Sequence, residues 1–201
     1  MTRSEKSALL LQDATLRNFF DIICSDADQT AAIWLENDEE HSFTYGQLGE
    51  RALACASKIM DMSFGEENGW VGIAVDTCPD WPVMLWGLIA SGRQPVLVDP
   101  SLDDKGIAHL LRQAGATALI CRRERELPGI MQAVPETLLE RAAPKPGFTP
   151  VWADQLAVCT SGTTATSRVF VYSGQAIAKQ ALGIFEAQKN HPVVREKRGP
   201  I

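Results

Sequence analysis

The sequence predicts an α/β fold in which a largely parallel β-sheet is flanked by helices. Three apolar runs with strand character, at residues 71–75, 95–98 and 118–121, alternate with two segments of helical periodicity. Their connections are short, and parallel strands joined through helices form right-handed crossovers that cover both faces of a sheet. With 201 residues, of which 45% are hydrophobic, the chain is long enough to bury such a core.

A helix and a hairpin are predicted before this unit. Thr15 is placed to cap a helix with regularly spaced apolar side chains, and residues 31–36 and 42–45 predict the two strands of the hairpin. Thr44 and Gln47, three residues apart, predict a capping box at the start of a second helix. The apolar side chains of that helix form one stripe, which we interpret as core: Leu48, Ala52, Cys55, Ile59 and Met62.

Hydroxyl residues and glycines mark the helix ends within the α/β unit. Residues 80–91 form a predicted helix that is apolar almost all round and ends at Gly92. Ser101, with Asp104 three residues later, predicts the start of the next helix, and Gly115 predicts its end. The three strands are therefore separated by helices with connections of only a few residues.

After the third strand, the composition predicts irregular segments. The run at residues 122–126 mixes both signs of charge, which is typical of a solvated surface segment. Residues 142–150 contain three prolines and one glycine and predict a loop that leads to the next motif. Ser173 is placed to cap a last helix, whereas residues 190–201 carry no clear fold signal.

The chain is organised around a hydroxyl-rich loop between two strand-like runs, within residues 156–172. Hydroxyl groups, backbone N–H groups beside a glycine and one cation are suited to binding phosphate oxygens. The candidate phosphate-binding residues are Thr160, Ser161, Gly162, Thr163, Thr164 and Arg168. The pattern is neither a Walker loop nor a G-x-S-x-G nucleophile elbow. On composition alone, a hairpin turn without a ligand is the competing interpretation.

Composition argues against several classes of function. The formal net charge of −6, without a basic stripe, argues against nucleic acid as a partner. The largely apolar uncharged run at 81–92 has 12 residues, fewer than the roughly 18 that a membrane span needs. Five scattered cysteines and an N-terminus without a signal-peptide pattern predict reduced thiols in a cytoplasmic protein. The three histidines lie far apart in the sequence, and no metal site is predicted.

Three motifs, in the same order along the chain, resemble the adenylate-forming enzymes. This family comprises acyl-CoA synthetases, nonribosomal peptide synthetase adenylation domains and luciferases. Residues 43–59 resemble its early helix, residues 71–121 its strand–helix–strand segment, and residues 159–177 its phosphate loop with the following strand and helix. The resemblance implies that residues 1–201 are the N-terminal portion of an AMP-binding synthetase domain, within the large domain of such an enzyme.

The resemblance also implies a reaction, that of an ATP-dependent carboxylic acid-activating ligase. The carboxylate attacks ATP to give an acyl adenylate and pyrophosphate, and a thiol then takes the acyl group. The expected small molecules are ATP with Mg²⁺, a carboxylic acid, and an acceptor thiol on coenzyme A or a carrier, with coenzyme A favoured. By resemblance, residues 160–164 and Arg168 hold the β- and γ-phosphates, whereas the family's catalytic residues come from later segments.

The chain also departs from the family pattern. The usual G-x-P-K-G continuation is replaced at residues 165–169 by ATSRV, in which Arg168 keeps the positive charge and Ala165 lacks the conformational freedom of glycine. Because few residues follow Arg168, we expect the N-terminal part of a longer ligase that is inactive on its own. Two alternatives stay open: a non-catalytic nucleotide- or partner-binding module, and a flavodoxin-like domain whose loop is only a turn.

Overall fold

The computed structural model describes residues 8, 10, 12–160 and 167–189, which form helices packed on a β-sheet. The helices are α1 Leu16–Cys24, α2 Tyr45–Asp61, α3 Trp81–Ala90, α4 Asp104–Ala114, α5 Pro135–Leu139 and α6 Gly174–Lys189. The strands are β1 Thr30–Glu36, β2 Glu39–Thr44, β3 Trp70–Ala74, β4 Gln94–Leu97, β5 Ala116–Cys121, β6 Met131–Ala133, β7 Gln155–Cys159 and β8 Val169–Ser173.

Six of these strands form one sheet in the order β6-β5-β3-β4-β7-β8. The first five are parallel to one another, and β8 lies antiparallel to β7 at one edge. Strands β1 and β2 form a separate antiparallel hairpin. The largely parallel sheet between helices confirms the α/β fold class predicted from the alternation of strands and helices.

The central strand β3 shows how helices cover both faces of this sheet. Val71 and Ile73 belong to the core cluster that contains residues of α1, α2 and α3. Ala74 instead belongs to a second cluster, which contains the apolar side chains of α4. A Cβ atom on Gly72 would lie 2.7 Å from Leu111 in α4, so glycine permits the close approach of that helix to β3.

Local signals placed most helix ends correctly. The hydroxyl of Thr15 accepts a hydrogen bond from the Asn18 backbone N–H at 3.1 Å. Thr44 and Gln47 form both hydrogen bonds of the predicted capping box, at 3.2 and 2.9 Å. Gly115 ends α4 in the left-handed conformation, with φ of 69°. These confirmed positions all depend on partners within one helical turn.

Two predicted details near helix ends are wrong. Helix α4 is capped by Asp103, not by Ser101, because the Asp103 carboxylate accepts a 2.7 Å hydrogen bond from the Gly106 N–H. Ser101 instead donates its hydroxyl proton to Asp99 at 2.6 Å. Met62 does not belong to the buried stripe that the sequence predicts, because it follows the last residue of α2 and is 38% exposed.

The mixed-charge run 122–126 is also more than a solvated segment. The side chain of Arg125 is 4% exposed, whereas its neighbours in the run are exposed. Its guanidinium donates to the carbonyl oxygens of Pro100 and Leu102, at 2.8 and 3.0 Å, and to the Asp104 carboxylate at 3.0 Å. Burial is tolerated because these acceptors bind both terminal nitrogens of the guanidinium, although its buried Nε has no hydrogen-bond partner among the described residues.

The short elements β6 and α5 are not predicted by the sequence. Strand β6 has three residues and helix α5 has five, so neither shows a measurable period. Residues 142–150 contain no helix or strand. Among the described residues, no helix combines the length and apolar character that crossing a membrane requires.

Candidate functional site

The hydroxyl-rich loop lies at the carboxyl edge of the parallel strands. It connects β7 to the antiparallel strand β8, and β7 pairs with β4 through the partners Val96 with Ala157 and Leu97 with Val158. The carboxyl ends of parallel strands form the edge at which open α/β sheets bind ligands. The fold therefore places this loop where a ligand site is expected.

Thr160 and Arg168 close the base of the loop, which we call the stem. The Thr160 N–H donates to the Arg168 carbonyl oxygen at 3.0 Å, and the Arg168 N–H donates to the Thr160 hydroxyl oxygen at 3.2 Å. Directly below, Cys159 and Val169 form the last pair of the β7–β8 ladder. The stem is thus fixed by the β7–β8 ladder and by one backbone and one side-chain hydrogen bond between Thr160 and Arg168.

The structure brings together the first and last of the predicted phosphate-binding residues. Thr160 and Arg168 face each other across the stem, and both are exposed. Within the described part of the chain, the Arg168 guanidinium has no ion-pair partner. The other predicted residues, Ser161, Gly162, Thr163 and Thr164, lie outside the described residues, as does Ala165. Their role as phosphate ligands stays a prediction.

Helix α4 contacts the side of the stem that leads into β8. The amide nitrogen of Gln113 donates to the Ser167 carbonyl oxygen at 3.1 Å and also contacts a ring nitrogen of His109. Sequence analysis missed Gln113, because an exposed glutamine on an amphipathic helix carries no signal of its own. Strand β7 begins 58 residues after β4 ends. The pairing of these two strands brings α4 beside the loop.

The neighbouring loop, between β4 and α4, is held by side-chain hydrogen bonds. The Asp99 carboxylate accepts from the Ser101 hydroxyl at 2.6 Å and from its backbone N–H at 2.9 Å, and these bonds lower the pKa of Asp99. The backbone N–H of Glu126 and then the Arg125 guanidinium lower the pKa of Asp104. The loop between β4 and α4, which neighbours the hydroxyl-rich loop, is therefore ordered by its own polar network.

The groups around the stem favour binding of an anion over nucleophilic chemistry. Burial raises the pKa of the Cys159 thiol to about 11, so the thiol at the end of β7 is protonated at neutral pH. Among the described residues, no group of three or more His, Cys, Asp or Glu side chains is arranged to hold a metal ion. Hydroxyl and guanidinium groups at the loop can instead donate hydrogen bonds to oxyanions.

Comparison with known proteins identifies the family. The sequence pattern of the AMP-binding enzyme family matches residues 24–197, which is most of the chain. The chain belongs to the AMP-binding enzymes. The resemblance noted in the sequence is thereby confirmed, including its assignment to the N-terminal portion of an adenylate-forming enzyme.

The relatives of this AMP-binding enzyme chain include large peptide synthetases. It is 36% identical to the nonribosomal peptide synthase roqA of Penicillium rubens over 81 residues, which is 40% of this chain and 3% of roqA. It is 26% identical to the phosphinothricin tripeptide synthetase PhsC of Streptomyces viridochromogenes over 141 residues, which is 64% of this chain and 13% of PhsC. The chain therefore spans a small part of these relatives.

Solved structures share the fold of this AMP-binding enzyme chain. The N-terminal subdomain of NpsA from Klebsiella oxytoca aligns with a TM-score of 0.70 and 22% identity, covering 84% of this chain and 46% of that one. A fatty acyl-adenylate ligase from L. pneumophila, in complex with acyl adenylate and pyrophosphate, aligns with a TM-score of 0.76 and 15% identity. That alignment covers 95% of this chain and 35% of the ligase.

Proposed function

We propose that this chain supplies the polyphosphate-binding part of an ATP-dependent enzyme that activates a carboxylic acid as an acyl adenylate. The observation that carries the proposal is the closed Thr160–Arg168 stem at the carboxyl edge of a sheet in an AMP-binding enzyme. The L. pneumophila ligase, which shares the fold, was solved with acyl adenylate and pyrophosphate, the two products of such a reaction.

In the proposed reaction, a carboxylate oxygen attacks the α-phosphorus of ATP. The bond between that phosphorus and the oxygen bridging to the β-phosphate breaks, and pyrophosphate leaves with the electron pair. Negative charge therefore grows on the pyrophosphate oxygens, where preorganised donors lower the barrier most. We assign this role to the hydroxyls of the loop at residues 160–164 and to the Arg168 guanidinium.

The stem geometry fits this role for Thr160. Its hydroxyl oxygen already accepts a hydrogen bond from the Arg168 N–H at 3.2 Å. Its own proton has only a 3.5 Å contact with the Arg168 carbonyl oxygen, which is long for an O–H donor. The proton can therefore turn toward a phosphate oxygen without loss of a strong hydrogen bond, while the oxygen keeps the stem closed.

Mg²⁺ is expected to accompany the nucleotide and to share the charge of its phosphates. The described residues offer no cluster of acidic or imidazole ligands near the stem. We therefore propose that the phosphate oxygens coordinate the ion. The hydroxyls of the loop and Arg168 bind the remaining negative charge of the phosphates.

For the acceptor thiol, the relatives favour a carrier protein over coenzyme A. Both roqA and PhsC are peptide synthetases, and NpsA has been solved as an artificially fused adenylation–PCP di-domain with ThdA. We therefore propose transfer of the acyl group to a carrier thiol, which departs from the expectation of coenzyme A. Transfer from the adenylate to each thiol, measured in the complete protein, tests this choice.

The first test of the proposal is a calorimetric titration of the 201-residue chain with Mg·ATP and with Mg·pyrophosphate. We expect saturable binding of both, with the Kd raised about tenfold by Arg168→Ala because a charge-assisted hydrogen bond is lost. The matched control is Arg17→Ala, which removes the same charge from an exposed side chain on α1. Equal effects of the two variants, or no binding by the unmodified chain, would refute the proposed phosphate site.

A second function, a non-catalytic nucleotide- or partner-binding module, is favoured by the altered residues 165–169. Transplanting residues 160–168 of this chain into complete NpsA, which includes the segments after its N-terminal subdomain, separates the two functions. If the loop supports catalysis, the chimera keeps acid-dependent ATP–pyrophosphate exchange within about a hundredfold of its parent. If exchange disappears while Mg·pyrophosphate still binds, the binding-module function is the better one.

A further inference from the structure

Among the described residues, Gln113 is the polar side chain of α4 that is hydrogen-bonded to the hydroxyl-rich loop. Its amide nitrogen lies 3.1 Å from the carbonyl oxygen of Ser167, to which it donates a hydrogen bond. Gln113 is exposed and belongs to neither core cluster. Its contact with Ser167 is therefore separable from the packing that holds α4 on the sheet.

The contact acts on the loop at Ser167. It directly precedes Arg168, and β8 begins only at Val169, so the β7–β8 ladder does not extend to Ser167. Arg168 itself is bound to Thr160 through both its backbone N–H and its carbonyl oxygen. The hydrogen bond from Gln113 thus fixes the chain at the point where it enters the stem.

A second residue of α4 orients the Gln113 side chain. His109 lies one helical turn earlier, and its ring nitrogen Nε2 contacts the amide nitrogen of Gln113. Because the amide nitrogen is a donor, the ring nitrogen that it contacts acts as the acceptor. One amide group therefore donates to both His109 and Ser167, which fixes the direction in which it points.

We propose that Gln113 is a positioning residue for polyphosphate binding, with His109 as its support. By holding the Ser167 carbonyl, Gln113 restricts the backbone on which Arg168 is mounted and so preorganises the guanidinium for phosphate oxygens. The proposal rests on the proposed function for the affinity that it predicts. The restriction of the stem is a separate consequence, which is measurable without any ligand.

The test compares Gln113→Leu with Gln180→Leu in the 201-residue chain. Leucine keeps the bulk and the neutral charge of glutamine but removes the donor, and Gln180 is an exposed glutamine on α6 that serves as the matched control. We expect Gln113→Leu to raise the Kd for Mg·pyrophosphate about fivefold and to speed amide hydrogen exchange at Arg168 about fivefold. The melting temperature should stay unchanged in both variants.

A donor-retaining variant completes the test. Gln113→Lys places an N–H donor within reach of Ser167, and it is judged on ligand-free amide exchange alone because its charge affects phosphate binding directly. We expect exchange at Arg168 within about twofold of the unmodified chain, since the hydrogen bond is restored. Faster exchange in this variant, equal to that of Gln113→Leu, would overturn the donor role.

The remaining outcomes also decide the proposal. If Gln113→Leu changes neither exchange nor affinity, or if Gln180→Leu changes both equally, Gln113 has no positioning role. If Gln113→Leu lowers the melting temperature together with the affinity, its role is structural and the proposal falls. If the unmodified chain does not bind Mg·pyrophosphate, the proposed function fails with the affinity part, while exchange at Arg168 still decides whether Gln113 restrains the stem.

Discussion

At the scale of single residues, Arg125 is one of two arginines that are buried among the described residues. Its guanidinium is almost fully buried and binds two backbone carbonyl oxygens and the Asp104 carboxylate, all in or next to the loop between β4 and α4. Gln132 adds two hydrogen bonds to the Arg125 backbone, at 3.0 and 2.9 Å. One side chain therefore joins the segment after β5 to the loop after β4.

We expect Arg125→Met to lower the free energy of unfolding by about 2–3 kcal/mol, because it leaves the Pro100 and Leu102 carbonyls without their donors. Urea denaturation measures this change. Arg123→Met is the matched control: it lies two residues earlier in the same run, is exposed, and should change the free energy of unfolding by less than about 0.5 kcal/mol. Similar losses in the two variants would contradict the structural role of Arg125.

Sequence reasoning at this scale succeeded where both partners of an interaction are close in the chain. The capping box of Thr44 and Gln47 is an example, because its two hydrogen bonds span three residues. Arg125 could not be recognised in the same way, since its acceptor Pro100 lies 25 residues away. A run of mixed charge predicts an exposed arginine, because the acceptors that permit its burial are distant in the sequence.

At the scale of elements, the hairpin formed by β7 and β8 is anchored at the end opposite the loop. The Asp154 carboxylate accepts a hydrogen bond from the Leu16 N–H at 2.9 Å, at the start of α1. The backbone carbonyl of Asp154 accepts from the Gly174 N–H at 2.7 Å, where α6 begins. Asp154 therefore connects the start of β7 to two helices.

The two glycines of α6 give a matched test of this junction. A Cβ atom on Gly174 would overlap the Asp154 carboxylate and lie 2.9 Å from Leu16, whereas a Cβ on Gly183 meets nothing within 4 Å. We expect Gly174→Ala to lower the free energy of unfolding by about 2 kcal/mol through overpacking. Gly183→Ala should raise it by about 0.5–1 kcal/mol, because alanine favours the helix. Urea denaturation measures both changes. Equal changes in the free energy of unfolding for the two variants would contradict the close packing at this junction.

The existence of most elements followed from periodicity, but their pairing did not. The alternation of strands and helices from residue 71 to residue 121 predicted parallel strands, and β3, β4 and β5 are parallel. Nothing in the sequence of β7 indicated that it would join the sheet beside β4. That choice depends on which edge is open once β5 and β6 occupy the other side.

At the scale of the whole molecule, the described part of the sheet ends on a strand with exposed apolar side chains. Phe170 and Tyr172 in β8 are 45% and 41% exposed, and Val158, the pairing partner of Phe170, is 38% exposed. Within the described residues, β8 also has no strand partner on its outer edge. An exposed edge with apolar side chains favours association between chains.

We therefore expect the 201-residue chain to self-associate with rising concentration, as measured by sedimentation velocity. Val171→Lys together with Phe170→Thr should shift the chain toward the monomer, because a charge and a polar group then occupy the edge strand. Leu35→Thr is the control, since Leu35 is 75% exposed but lies on the separate β1–β2 hairpin. A shift caused equally by Leu35→Thr would assign the association to exposed apolar surface in general.

The pairing of β7 with β4 also has a consequence for how the site forms during synthesis. All of α4, β5, β6 and α5 are translated between these two strands. A nascent chain that has emerged only as far as α5 presents β4 as an open edge, and contacts between distant segments form slowly. We expect the ribosome-bound chain to form the Thr160–Arg168 stem after the strands that precede it in the sheet have folded.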